Sequence, residues 1–382
     1  MTRGFRGLAI GACLVILAGT AGRGTPAEVE RGARVATTAD GVASALRDDG
    51  DLVTLRQAIA QSLRWLARQP PERTQWLGPR TLTVAEQTRA LRRMLELLAD
   101  DPSPDVLDER VRAEFDLLRS AGGSDGAMLV TGYHEPIVEA AESPSAEYRV
   151  PILGVPRDLY ARRRGPYWSR AQIEQGRLGK LARPLAWARD PVDAFFLEIE
   201  GSGTLRLPGG RELRVGPAAT NGRAYRSIGQ LLVEEGHLAR EAVTMRALRE
   251  WLTARPAERA RVFAHNESYV FFALRHGAPV GSLGVPLTAG RSVATDPRVF
   301  PRGGLAFLRT RRPIESVGGQ ISWVPLDRFV LAQDAGGAIR GPGRVDVFWG
   351  RGPGAELAAS DMKEPGELYW LVPKATREAS RE

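Results

Sequence analysis

The sequence predicts a mainly β protein opened by helices, and three observations carry that reading. Apolar residues recur at helical spacing up to about residue 120, short apolar runs broken by Gly and Pro follow from about 127, and neither an internal repeat nor a Gly-rich phosphate loop interrupts the pattern. Short strands at this spacing suggest a small barrel. With 382 residues, 43% hydrophobic and 26% charged, the chain has the makings of an ordinary globular protein of two or three domains, at roughly 150 residues each.

Taken in order, residues 1–22 read as a secretory signal. Arg3 and Arg6 form the basic start, Gly7 to Gly19 is a short apolar run, and Gly19 to Gly22 supply small residues for cleavage. The run falls short of the ~20 residues a membrane span needs. Acylation at Cys13 is disfavoured, because Leu14-Val15-Ile16-Leu17 would then lie beyond the cleavage point. The protein is therefore expected to be exported and periplasmic, with attachment to the outer membrane left open. Residues 23–48, rich in Gly, Ala, Thr and charge, read as a linker.

Three helices are expected next. Leu52, Leu55, Ile59, Leu63 and Leu66 mark one face after Asp51, and Thr83 and Glu86 form a capping box before Leu91, Leu95 and Leu98. The third starts at Ser103-Pro104, uses Leu107, Val111 and Leu118, and ends at Gly122-Gly123. Strands are predicted at 127–133 and 148–153, a helix from Ser169, a hairpin around Pro208-Gly209-Gly210, and helices between Ser227 and Ala260. Further strands are expected at 285–287, 306–308, 329–332, 345–349 and 368–372.

Much chemistry is excluded at once. The single cysteine, Cys13, rules out an internal disulfide and cysteine-based metal sites, and His134, His237, His265 and His276 show no ligand spacing. No metal and no organic cofactor is expected. Gly201-Ser202-Gly203 lacks the elbow of a serine nucleophile. The net charge of +8 comes from scattered arginines, which argues against a nucleic-acid face and reads first as a solvated surface, though it also suits attraction to a polyanionic matrix.

Three aspartates stand out at strand ends among glycines: Asp296, Asp334 and Asp346. A carboxylate flanked by apolar strand residues is costly to ionise, so it can hold a proton near neutral pH and give it to a leaving group, as glycosidic cleavage demands. Gly336 and Gly337 beside Asp334 would let a polymer approach closely, and Phe348 and Trp349 offer flat faces of the kind sugars stack on. Asp296 and Asp334 equally suit turn capping, whereas Asp346 sits between two valines where that duty is implausible. An aspartic peptidase needs two Asp-Thr/Ser-Gly loops to share a proton, and only Asp334-Ala335-Gly336 approximates one.

At these residues the sequence resembles the membrane-bound lytic murein transglycosylase A family, over about 127 to 373. The stretches that carry the resemblance are Thr131-Gly132-Tyr133-His134-Glu135-Pro136, Asp190-Pro191-Val192-Asp193-Ala194-Phe195-Phe196 leading to Glu200-Gly201-Ser202-Gly203, and Asn221-Gly222-Arg223-Ala224-Tyr225-Arg226-Ser227. Ser268-Tyr269-Val270-Phe271-Phe272, Gly284-Val285-Pro286-Leu287-Thr288 and the three-aspartate region through Gly341 follow in order.

The resemblance implies a double-psi β-barrel domain from 49–139 and 281–382, an inserted smaller β-rich domain at 140–280, and a groove between them for a peptidoglycan glycan strand. It places the catalytic role on Asp346 and supporting hydrogen bonds on Asp334 and Asp296. It further implies that Thr131, Gly132, Tyr133, Glu200, Gly201, Ser202, Asn221, Gly222, Tyr225 and Ser227 line the groove. His134, Glu200 and Arg340 depart from the family's usual tyrosine, glutamine and lysine. The implied reaction cleaves the β-1,4 bond between N-acetylmuramic acid and N-acetylglucosamine through one aspartate and leaves a 1,6-anhydromuramic end. A water-using endoglycosidase and a non-catalytic glycan-binding protein are the alternatives; membrane association and cell-wall synthesis partners stay open.

Overall fold

The computed structural model describes residues 44–77, 80–123, 126–161, 165–337 and 339–374, with the backbone of 36–37. The expected signal at 1–22, with Cys13, lies outside them. No helix among the described residues is long and apolar enough to cross a membrane. The described chain divides into two compact units: residues up to Tyr133 with Val280–Gly350 and the chain from Leu357, and His134–Pro279 with Arg351–Glu356.

In the first unit the local signals act as read. Asp51 accepts from Thr54 N at 2.7 Å to start the helix Leu52–Leu66. Thr83 and Glu86 satisfy each other's amides at 3.1 and 2.7 Å to start Val84–Leu97. Their buried faces, Leu55, Ile59, Leu91 and Met94 among them, pack with Phe307, Phe329, Leu331 and Leu371 of the sheet, each such side chain contributing roughly 1.5–3 kcal/mol.

The third helix, Pro104–Glu114, is shorter than expected. Phe115–Arg119 is a strand, and Leu118 pairs with Trp370 instead of extending the helical face. The apolar run around Phe115, Leu117 and Leu118 suits a strand once a partner edge exists, and Glu367–Pro373 supplies it. The end of the expected linker is also core: Leu46 is buried, and Asp48 accepts from both Arg291 Nη atoms and from Phe329 N.

The sheet of this unit has nine strands in the order Ala36–Thr37, Phe115–Arg119, Glu367–Pro373, Leu305–Glu315, Ile321–Asp334, Ser292–Ala294, Arg344–Phe348, Leu129–Tyr133 and Lys363–Pro365. It curls until its fourth strand meets its ninth, where Thr310 Oγ1 donates to Pro365 O at 2.8 Å. Gly366 permits that closure, since a Cβ there would stand 2.9 Å from Arg309 O. The expected barrel is thus present, with the parallel pairs 292–294/331–334 and 344–348/129–133 that a double-psi topology requires. The expected strand at 285–287 does not form. Pairing there is reduced to a single bridge between Pro286 and Val280, for Pro286 has no N–H to extend it, and Gly281 N donates to Val285 O in a turn completed by Gly284 at φ +70°.

The second unit begins at His134 rather than at 140, because Ile137–Ala141 is a strand of its own sheet. That sheet runs Val270–Arg275, Glu212–Thr220, Gly203–Arg206, Ile137–Ala141, Pro184–Ala188, Val150–Leu153. It is joined by the helices Pro191–Glu200, Ile228–Glu234, Met245–Ala254 and Arg259–His265, whose Phe195, Phe196, Leu232, Trp251 and Phe263 share one apolar cluster.

Candidate active site

The strand Arg344–Phe348 is buried along its whole length. It lies between Leu129–Tyr133, to which it is parallel, and Ser292–Ala294, to which it is antiparallel. Side chains alternate across a strand, so Val345 and Val347 enter the barrel core while Asp346 does not. Asp346 is 1% exposed, and Thr131, its cross-strand neighbour, donates its hydroxyl to Asp346 Oδ1 at 2.8 Å.

Asp334 arrives by the next strand but one. Ala294 pairs with Asp346 on one side and with Asp334 on the other, so Thr131, Asp346, Ala294 and Asp334 form a row across four strands. Asp334 closes its strand and accepts three hydrogen bonds: Ser282 N and Ala335 N to Oδ1 at 2.8 Å each, and the Tyr133 hydroxyl to Oδ2 at 2.9 Å. Burial raises its proton affinity above the ordinary carboxylate range, against the pull of those donors.

Asp296 is fully buried, but its carboxylate is spent on the loop beside it. It accepts from Arg298 N at 3.0 Å, from the Arg298 guanidinium at 2.6 Å and from Gly341 N at 2.8 Å. Burial opposes its ionisation, and the Arg298 and Gly341 donors outweigh it and hold the pKa below the usual range. Gly341 lies three residues before the strand that carries Asp346, so Asp296 ties down the approach to that strand.

Gly132 is explained by a close approach. A Cβ at this position would stand 2.7 Å from Trp349 Nε1, so glycine makes room for the indole. Phe348, expected to offer a sugar-stacking face, is instead buried against the Tyr133 ring at a centroid distance of 5.2 Å. Gly336 is buried and Gly337 exposed beside Asp334. Among the described residues no cluster of His, Cys, Asp or Glu is arranged to hold a metal ion.

The sequence reading missed Gln333. Fully buried, it accepts from Ser292 Oγ at 2.6 Å and donates to Ala58 O at 2.6 Å and Ser62 Oγ at 3.0 Å, which ties the strand end before Asp334 to the first helix. A polar residue closing the run Phe329 to Ala332 was the available signal.

The chain matches the MltA specific insert domain over residues 129–273 and the 3D domain over 291–372. It is 32% identical over 255 residues to the membrane-bound lytic murein transglycosylase A of Vibrio cholerae, an alignment spanning 65% of this chain and 67% of that one. The membrane-bound lytic murein transglycosylase of Agrobacterium tumefaciens superposes with a TM-score of 0.68 at 30% identity, covering 85% of this chain and 93% of that structure. The chain belongs to the membrane-bound lytic murein transglycosylase A family. Escherichia coli MltA, solved with bound chitohexaose, superposes with a TM-score of 0.67 at 26% identity, over 84% of this chain and 90% of that one.

In this transglycosylase A family member the remaining expected site residues, Glu200, Gly201, Ser202, Asn221, Gly222, Tyr225 and Ser227, belong to the second unit. Several are committed to its fold. Asn221 is buried, donates Nδ2 to Trp168 O and Glu267 O at 2.9 and 2.8 Å, and accepts from Tyr269 N at 3.0 Å. It braces two loops, and its amide hydrogens are both used there. Gly201, at φ +77°, is the left-handed cap that ends Pro191–Glu200. Gly222 also takes a positive φ, of +72°, and Ser227 caps Ile228–Glu234 through Gln230 N at 3.2 Å. Glu200 is the last residue of its helix, Ser202 is half-buried, and Tyr225 packs partly buried against the helical cluster. Of the departures from the family pattern, His134 is buried and neutral, its pKa lowered by burial, with help from Arg249, to about 4, and Arg340 is exposed.

Proposed function

We propose that this enzyme is a peptidoglycan lytic transglycosylase that cleaves the β-1,4 bond between N-acetylmuramic acid and N-acetylglucosamine with a single acid/base aspartate. The observation that carries the reading is the burial of Asp346 in the strand Arg344–Phe348, with its Oδ1 held by Thr131 and with Asp334 on the far side of Ala294. Membership of the family and the chitohexaose bound to the Escherichia coli relative support it, since chitohexaose is itself a β-1,4-linked glycan.

In this reading protonated Asp346 gives its proton to the glycosidic oxygen as the bond to C1 of the muramic residue breaks. The departing N-acetylglucosamine takes that proton, and C1 becomes oxocarbenium-like. The anionic Asp346 then accepts the proton of the same sugar's C6 hydroxyl as O6 bonds to C1. The anhydro ring forms, Asp346 is protonated again, and no water is consumed. Because the nucleophile is part of the substrate, much of the acceleration comes from holding O6 over C1. Asp334, with raised proton affinity and a hydroxyl from Tyr133, supports the acid beside it. In the second unit Glu200, Ser202 and Tyr225 contact the glycan strand. The protein acts in the cell envelope, exported by the segment at 1–22, and its net positive charge favours the anionic wall polymer.

The test is digestion of purified sacculi, with Asp346→Asn beside the wild type and mass spectrometry of the released fragments. Ends lighter than reducing ends by one water, absent with the variant, are the expected outcome. Reducing ends would mean hydrolysis and overturn the anhydro-forming step; no release by folded protein would leave a binding function.

A further inference from the structure

Within the His134–Pro279 unit lies a cavity of about 420 Å³, lined by none of the residues proposed above to contact glycan. Trp187, Phe195, Phe263 and Leu178 form its apolar walls. Its polar wall is one cluster. Arg170, 1% exposed, reaches Glu198 Oε2 at 2.7 Å and Glu174 Oε1 at 3.1 Å, while its Nε and Nη2 donate to Asn266 O and Ser268 O. The guanidinium is further sandwiched by the rings of Phe195 and Tyr269, at 4.7 and 5.2 Å.

Two carboxylates thus share one cation. When both are ionised one negative charge is in excess; burial pushes Glu198 up to about 7, while Glu174, its side chain 38% exposed, brings the cluster to solvent. A neutral sugar would leave that imbalance standing, and a bare divalent cation would meet the fixed charge of Arg170. An ammonium group on an apolar stem corrects the charge and fills the walls. Arg149, exposed at the rim of the same cavity, pairs with no carboxylate among the described residues, so an anionic group has a partner there.

We propose that this cavity binds a ligand bearing a primary ammonium on a short alkyl stem with a neighbouring carboxylate, the chemistry of a diamino-acid end. The ammonium meets Glu198 and Glu174, the stem lies along Trp187 and Phe195, and the carboxylate reaches Arg149. Two sources carry this chemistry: free diamino acids, and the peptide substituents of the polymer in the proposed reaction. Assignment to the polymer rests on that reaction, and the cavity's chemistry does not.

The test uses the full chain carrying Asp346→Asn, so that no cleavage intervenes, and calorimetric titration with meso-diaminopimelic acid, a disaccharide-tetrapeptide muropeptide and chitohexaose. Saturable binding of the first two is expected, weakened at least tenfold by Glu198→Gln and by Trp187→Ala, with chitohexaose binding unchanged by Trp187→Ala. Trp187→Ala leaves the buried ion cluster intact, so it decides the matter should Glu198→Gln unfold. Tighter binding of the muropeptide than of the free diamino acid assigns the polymer as source, and equal binding assigns the free compound. No saturable binding of either, or binding that Trp187→Ala retains in full, overturns the inference. Probe binding without cleavage of sacculi by the wild type would instead strike the proposed reaction and leave the cavity's ligand standing.

Discussion

Asp334 and Asp346 flank the same residue, Ala294, from opposite sides of its strand. With neighbouring strands about 4.8 Å apart, their backbones lie about 10 Å apart, close enough to serve one site and far enough for each to have its own partners. Thr131 holds one carboxylate, and Tyr133 with two backbone amides holds the other. The two aromatic and hydroxyl partners come from a single strand, Leu129–Tyr133, so one element positions both acids.

Thr131→Val keeps the shape of the side chain and removes the donor to Asp346. Turnover on sacculi should fall about 10- to 100-fold, mainly in kcat, with a loss of stability of about 1 kcal/mol. Thr131→Ser should recover most of the rate. A threonine that only filled space would show the reverse, with valine active and serine destabilised.

Asp334 binds its proton more tightly in the folded protein than a free carboxyl does. Its contribution to stability is therefore full below the ordinary carboxylate pKa and is lost as pH rises through the raised one. Asp334→Asn, which resembles the neutral form, should match the wild type within about 1 kcal/mol at pH 4 and gain on it by pH 8. Urea unfolding at the two pH values checks the sign, while sacculus digestion should show the variant impaired at both.

Glu198 gives an effect of the same sign. Its folded pKa is about 7 against an ordinary 4.5, so stability should fall between those values and level off above them. The bound on the change is roughly 3 kcal/mol. Glu198→Gln should flatten this slope, which thermal melts across pH 4 to 8 would reveal; an unchanged slope would show that another group is responsible.

Asp296 behaves in the opposite sense, because its folded pKa is depressed. Its contribution is present above the unfolded value and is lost as pH falls through the folded one. Asp296→Ala strands the amides of Arg298 and Gly341 and should cost about 1–3 kcal/mol at pH 7. Arg298→Ala, whose side chain is largely exposed, should cost under about 1 kcal/mol. Acid unfolding of the Asp296→Asn variant should be less steep than that of the wild type below pH 4.

What the sequence disclosed follows from how local each signal is. Asp51, Thr83 with Glu86, and Ser169 with Gln172 act on amides two or three residues away, and each starts a helix where expected. Leu118 and the run 285–287 differ from expectation because their state depends on a partner elsewhere: a strand edge in the first case, and in the second a turn that leaves only the bridge from Pro286 to Val280. Asp346 stood out because a carboxylate between two valines needs a reason. Gln333, Ser282 and Arg298 gave little sign, since their duties are defined by hydrogen bonds across the fold. Gly201, Asn221 and Ser227 show the converse, for residues inside a recognisable motif prove to cap and brace.

The hydrogen bond from Thr131 to Asp346 joins positions 215 residues apart, in strands that run parallel. A ribosome must therefore extend the chain through Asp346 before these two groups can meet, and the barrel strand Glu367–Pro373 is made later still. Contacts of such long range are slow to form, since the intervening chain must first be organised. The proposed catalytic site is accordingly assembled only after both of these strands have been made. A chain grown only as far as Gly343 holds Thr131 but lacks the Asp346 that its hydroxyl meets in the folded protein.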